Sequence, residues 1–411
     1  MNNFNTKKII QIKNPGLPPF SALPLLFLVM VKPLTDAFYE VEAIKYIYIL
    51  LLICASLFAR GGQDFQGDLN DPRNKSLFPY IWLILTYFIF NIALAIVFGG
   101  SISEIFKIIS PFVFFVLVAY AADRWLLYAL GIGAVLNILI NAATLPLDYG
   151  WIQWGGTQTF KGFYFFKTDL AYSLCFSVLL CFFFMKNRIT SSLAILTIIA
   201  TVEVVLANSR INYACFLLVI IFMVTKEGVS IRNVIRYGSL IILLLIVVYL
   251  TYDPSKLLGF DTSNESAFTQ GRDSTWQRLI NSMLISSPNQ WLFGRGAFAD
   301  VILAQEALRG TQNAHNAHNE ILHLLYTQGI FGTTLYTLLW LKTFQMSCRP
   351  TVPDWARGTA TVALGIFLLQ SLTTVVSSFA TKTWPLVMVL LAIRGLTRNI
   401  KSNNMLVNSN D

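Results

Sequence analysis

The sequence predicts an all-α integral membrane protein of about twelve transmembrane helices, with both termini cytoplasmic and one large outward loop carrying amphipathic helices. Three observations predict it. The chain is 55% hydrophobic and only 12% charged, about half the charged share of an ordinary globular domain. Apolar runs of bilayer-crossing length recur from one end to the other. The basic residues fall on alternate connections between those runs, as the positive-inside rule requires.

The runs lie near 17–33, 43–59, 78–98, 105–122, 125–144, 169–185, 190–207, 211–225, 237–252, 320–343, 358–379 and 383–397. The first follows Lys7, Lys8 and Lys13 and carries Pro18, Pro19 and Pro24, which suit an irregular span. No small-x-small pattern follows it, so it reads as a span and not as a cleaved signal. With the N-terminus cytoplasmic, the even-numbered connections are cytoplasmic too. They hold Arg60, Arg73, Lys75, Arg124, Lys186, Arg188, Lys226, Arg232, Arg236, Lys342, Arg349 and Arg357. With the N-terminal lysines and Arg394, Arg398 and Lys401 of the tail, these make 18 of the 30 basic residues. The net charge of +9 therefore records topology, and nucleic acid is not an expected partner. Cys54, Cys175, Cys181, Cys215 and Cys348 share no close spacing and read as packing residues.

The chain thus divides into spans one to nine (1–252), an outward loop (253–319), and spans ten to twelve with a cytoplasmic tail (320–411). The loop is not a bare linker. Ser274-Thr275 is a capping signal, and Trp276, Leu279, Ile280, Met283 and Leu284 follow at helical spacing. Pro288 and Asn289 are expected to end that helix. A second helix, 298–309, is expected to close at Gly310. Both should lie along the membrane surface as a roof. The other long outward connection, 145–168, offers Tyr149, Trp151 and Trp154, either as sugar-stacking surfaces or as part of an interfacial aromatic belt.

Polar residues near membrane depth are rare and usually functional. Arg210 stands in LANSRINYACF between two apolar runs, on the outward side. Arg272 and Arg278 occur in TQGRDSTWQRLI, and Arg295 lies between glycines in LFGRGAF. Glu203 is placed to pair with a basic residue inside the bundle, and Glu104 and Lys107 to reach the interface. All three histidines, His315, His318 and His323, fall within NAHNAHNEILH, where the loop enters span ten. As metal ligands they are poorly disposed: on a helix, His318 and His323 point roughly 140° apart, and no cysteine is near. His318 beside outward arginines reads instead as a base next to an anion-binding patch.

In this pattern the chain resembles the O-antigen ligase and polysaccharide polymerase superfamily of bacterial inner-membrane glycan transferases. Ser209-Arg210 carries the first likeness. Gly271-Arg272 followed by Trp276, with Gly294-x-Gly296 beyond, carries the second. His318-Asn319 leading to Gly329-Ile330-Phe331-Gly332 carries the third. The likeness covers about residues 160 to 345, with one departure: Ile211 stands where the family often has Gly.

The resemblance implies transfer of a glycan from undecaprenyl pyrophosphate to an acceptor hydroxyl at the periplasmic face. It implies a metal-independent, inverting displacement that needs no cofactor. Arg210 and Arg272 would hold the pyrophosphate and His318 would take the acceptor's proton, making these the catalytic set. Arg278, Arg295, His315, Asn319 and Trp276 are the expected substrate-binding residues, and His323 is expected to pack inside the bundle. Expected partners are the lipid-linked donor, a lipid-linked glycan or lipid A core as acceptor, membrane lipid, and a chain-length regulator. The stretch GFYFFKTD (162–169) tips the choice toward a repeat-unit polymerase. The alternatives are a ligase delivering glycan to lipid A core, a polysaccharide flippase, and a non-enzymatic scaffold.

Overall fold

The structure is a computed structural model. It describes residues 18–37, 41–59, 77–99, 102–121, 125–154, 157–185, 188–226, 272–297, 299–308, 317–348, 352–377 and 380–408. The expected span at 237–252 and His315 lie outside the described residues.

The architecture is all-α apart from one hairpin. In chain order the helices are α1 (Leu23–Ala37), α2 (Glu42–Phe58), α3 (Leu77–Phe98), α4 (Ile102–Ala121) and α5 (Leu126–Ala142). After the hairpin come α6 (Lys167–Phe184), α7 (Ser191–Leu206) and α8 (Arg210–Lys226). The loop contributes α9 (Arg272–Leu284), α10 (Pro288–Phe293) and α11 (Ala299–Leu308), and the bundle closes with α12 (Glu320–Ser347), α13 (Asp354–Ser371) and α14 (Ala380–Asn408). Each described apolar run falls on a helix. Among them, α3 and α6 are long and apolar enough to cross a bilayer, consistent with a membrane protein.

These two helices differ in what surrounds them. The apolar face of α3 is turned outward through Phe78, Trp82, Ile89, Ile96 and Val97. By contrast α6 is buried nearly all round, with Leu170 through Phe183 inside the protein. Residues 381–396 of α14 are buried in the same way, so α6 and α14 form the centre against which the other helices pack. A helix apolar on every side belongs in such a position. Small residues allow the closest approach: a Cβ on Gly133 of α5 would stand 2.4 Å from the Met30 carbonyl of α1.

The hairpin, Trp151–Trp154 paired antiparallel with Thr157–Phe160, was not expected from the sequence. It engages part of the aromatic set. Trp151 packs on Phe160 at 5.3 Å and its indole N–H donates to the Leu145 carbonyl. Tyr149 stays exposed, with the Lys161 ammonium 4.1 Å from its ring centroid.

The loop helices depart from expectation at their ends. Helix α9 begins at Arg272, so Ser274 and Thr275 lie in its first turn and do not cap it. Pro288 and Asn289 open a helix where an end was expected. Ser287 forms a capping box with Gln290, which puts Pro288 at the first helical position, where a missing N–H costs nothing. The roof has its own small core: Leu279 and Met283 pack with Ala317, Tyr326 and Val375.

The joint between roof and bundle is a break in α12. Gly329 has φ 64° and ψ −172°, backbone that essentially only glycine adopts. The break turns the carbonyls of Tyr326 and Thr327 away from the amides four residues on. Backbone N–H groups of the α10–α11 turn replace them: Arg295 N donates to both carbonyls at 3.2 Å and Gly296 N to Thr327 O at 2.9 Å. The partner glycine, Gly294, has φ 78° and ψ −161°. A Cβ there would lie 2.3 Å from the Thr327 oxygen, and one on Gly329 would lie 2.5 Å from the Gly294 nitrogen. Main chain meets main chain, and neither position has room for a side chain.

This predicts that Gly294→Ala lowers stability by roughly 3 kcal/mol or more through backbone strain plus overlap. Gly99→Ala, at φ +72° with nothing within 4 Å of the added methyl, should cost only about 1 kcal/mol. Thermal unfolding of the detergent-purified variants measures both, and equal shifts would contradict the interlock.

Candidate functional site

One end of the bundle gathers the heads of α6, α8, α12 and α14, and side-chain bonds tie them together in sequence. Arg210 is the first residue of α8 and is half-buried. The turn before it is tight, with Asn208 at φ 47°. The Asn212 amide secures that turn by donating to Ser209 Oγ at 2.9 Å and to the Thr168 carbonyl of α6 at 3.1 Å. Lys167, at the head of α6, stands within electrostatic reach of Arg210. Two residues on, the buried Asp169 pairs with Lys382 Nζ at 2.6 Å and accepts from Thr381 Oγ1 at 3.0 Å. Ser377, just before α14, donates its backbone N–H to Glu320 Oε2 at 3.1 Å. Glu320 opens α12, two residues after His318.

His318 occupies a constrained position. It has φ 49°, one of two non-glycine residues with positive φ among those described. Asn319 N-caps α12 through Leu322 N at 3.0 Å, and its amide donates to the Leu372 carbonyl at the end of α13. Asn319, expected to bind substrate, therefore holds the helix head. Trp276, expected likewise, donates its indole N–H to the Ala317 carbonyl at 2.6 Å. Since Trp276 lies on α9, the helix that Arg272 begins, Arg210, His318 and the start of α9 share one region.

Two other expected substrate contacts part company. Arg278 is exposed on α9. Arg295 is engaged by the protein: its guanidinium donates to Ser282 Oγ at 2.6 Å, Tyr326 Oη at 2.7 Å, the Ser282 carbonyl at 3.0 Å and Ser286 Oγ. It also stacks over the Tyr326 ring at 4.7 Å. A cation bonding a carbonyl in the last turn of α9 suits the helix's negative end. Arg295 thus clamps α9 to α12.

Glu203, expected to pair with a basic residue, is fully buried, and neither carboxylate oxygen has a hydrogen-bond partner among the described residues. His323 packs inside, as expected, and has a partner the sequence did not suggest: its Nδ1 lies 2.8 Å from Asp300 Oδ2. Burial alone would raise the Asp300 carboxyl, but His323 and the Ala317 N–H hold it below the usual carboxylate range. A depressed carboxylate contributes stability above its unfolded value and loses it as pH falls through the folded one, so the carboxylate's share of this contact is in place at neutral pH. Beside it, Glu104, His323 and Gln328 border a small, mainly apolar cavity.

Among the described residues, no three His, Cys, Asp or Glu side chains group as a metal site would require. Asp169, Lys382 and Asp300 were not singled out from the sequence. For Asp169 a signal existed, an acid at the head of an apolar run. For Asp300 and Lys382 the partners are distant in sequence, and the fold alone brings them together.

Arg295→Ala should therefore cost about 2–3 kcal/mol of stability, the range for losing charge-assisted hydrogen bonds. Thermal melting in detergent measures it. An unchanged Tm with a raised donor KM would return Arg295 to substrate binding.

A family model described as O-antigen ligase matches residues 193–337, a stretch that contains Arg210, Arg272, His318 and Gly329 through Gly332. No curated protein matches the chain. Over residues 193–337, the chain is similar to the O-antigen ligase family.

Proposed function

We propose that the chain transfers a glycan from an undecaprenyl-pyrophosphate donor to an acceptor hydroxyl on the periplasmic side of a bacterial inner membrane. The observation that carries this reading is the convergence of the Arg210 turn, the start of α9 and the strained His318 at one end of an apolar bundle. A lipid-linked donor has its tail in the bilayer and its sugars outside, so its reacting carbon lies at such an end.

In the proposed reaction the acceptor oxygen attacks the anomeric carbon as the bond to phosphate oxygen breaks, with inversion. Undecaprenyl pyrophosphate departs carrying the bonding electrons. Arg210 and Arg272 neutralise that developing charge, which planar guanidinium groups match bidentately. His318 receives the proton from the acceptor hydroxyl. No step requires a metal or cofactor.

The acceptor we favour is a second lipid-linked unit, which makes the chain a repeat-unit polymerase. Support comes from the 162–169 stretch, whose Lys167 adds a cation within reach of Arg210. The second reading, a ligase delivering glycan to lipid A core, is favoured by the description of the matching family. A flippase needs charged groups on a path through the bundle. The buried pair Asp169–Lys382 instead joins the heads of α6 and α14 at the His318 end.

Surface glycan from a deletion strain expressing His318→Ala or Arg210→Ala tests the proposal. Core capped by one repeat unit is the expected result. Bare core, with long glycan held on its lipid carrier, would establish the ligase reading. A wild-type ladder from either variant would remove that residue from the reaction.

A further inference from the structure

We infer that Asp300 is a positioning residue for His318, acting through the Ala317 peptide and not on substrate. The inference rests on His318 serving as the base proposed above.

Two helices that are distant in sequence, α9 and α11, converge on the backbone of one residue, Ala317. The fully buried Asp300 of α11 accepts the Ala317 N–H on Oδ2 at 2.9 Å. From the other side, Trp276 of α9 donates to the Ala317 carbonyl at 2.6 Å. Ala317 is itself fully buried, so water does not compete for either bond. The residue that follows is His318, in left-handed backbone that a non-glycine residue adopts only when its surroundings enforce it. Asn319 then fixes the far side of His318 by capping α12. The His318 backbone is therefore held from both flanks, and the flank before it hangs on Asp300 and Trp276.

Asp300 also connects Ala317 to the body of the bundle. The same Oδ2 that accepts from Ala317 lies 2.8 Å from Nδ1 of His323. His323 is built into α12, its backbone N–H bonded to the Asn319 carbonyl at 2.9 Å. One carboxylate oxygen thus sets the distance between the His318 backbone and the helix that follows it. The second oxygen, Oδ1, is buried with no partner among the described residues. The working feature is one acceptor atom at one place.

That detail makes the inference testable. In Asp300→Asn, the amide oxygen can take the place of Oδ2 and accept from both Ala317 and His323, leaving the amide nitrogen where Oδ1 has no partner. In Asp300→Ala the acceptor is lost. Transfer by the purified full chain in lipid vesicles, from a lipid-linked glycan donor, should show kcat reduced about 100-fold in Asp300→Ala with KM little changed, the size expected for displacing a catalytic group by about 1 Å. Asp300→Asn should restore most of the rate. Trp276→Phe, which removes the bond to the carbonyl of the same residue, should lower kcat about 10-fold, again with KM unchanged.

Near-wild-type kcat in Asp300→Ala would overturn the inference. So would an Asp300→Asn variant as slow as Asp300→Ala, since charge would then be the operative property. If Asp300→Ala is not recovered from membranes, Trp276→Phe decides: a kcat loss at constant KM supports the inference and an unchanged kcat overturns it. His318→Ala measured alongside separates the two levels. If it stays active, the base assignment itself fails. If it is inactive while Asp300→Ala works normally, only the role of Asp300 is lost.

Discussion

The site is organised around the break in α12 at Gly329. A straight helix there would use its own amides to satisfy the Tyr326 and Thr327 carbonyls. The break hands those carbonyls to Arg295 N and Gly296 N of the roof. Buried backbone groups must be paired somewhere, so the loop cannot leave without stranding two acceptors, and α12 cannot straighten without stranding two donors. The two glycine motifs, separated by more than thirty residues of sequence, are in this sense one device. Arg295 strengthens the joint from the side-chain level, holding the last turn of α9 against Tyr326.

Once the roof is docked, the rest of the site follows from it. Helix α9 brings Trp276, and α11 brings Asp300, to Ala317, the residue that precedes His318. The head of α12 reaches Ser377, the head of α14 reaches Asp169, and the head of α6 reaches the Arg210 turn. On this path Asp169 and Asp300 each have a partner from a different helix, and Glu320 accepts from the Ser377 N–H. That pairing lets charged groups stand inside an apolar bundle, where unpaired ones would be costly.

Much of the fold was legible because lipid-compatible helices announce themselves by length and composition. The described runs fall on helices, and the loop is helical at Arg272–Leu284, Pro288–Phe293 and Ala299–Leu308. What could not be read depended on contacts between distant segments. Pro288 signals either a helix end or a first turn, and Ser287 with Gln290 resolved it toward the start of α10. The hairpin at 151–160 is short and rich in aromatic residues, which suit an interface equally well. At the site, the residue types were visible and the division of labour was not. Arg295, Asn319 and Trp276 have the chemistry of substrate contacts, yet the fold spends their donors on protein carbonyls and hydroxyls. Asp300 gave no sequence signal, because an acid in a polar loop is ordinary until its burial is known.

The most direct test of the central claim is reconstitution of the chain alone in vesicles with a lipid-linked glycan donor and acceptor, following the lipid carrier. The account predicts that undecaprenyl pyrophosphate is released in step with glycan growth, one carrier for each bond formed. Donor that crosses the bilayer with its glycan still attached, with no pyrophosphate released, would contradict it.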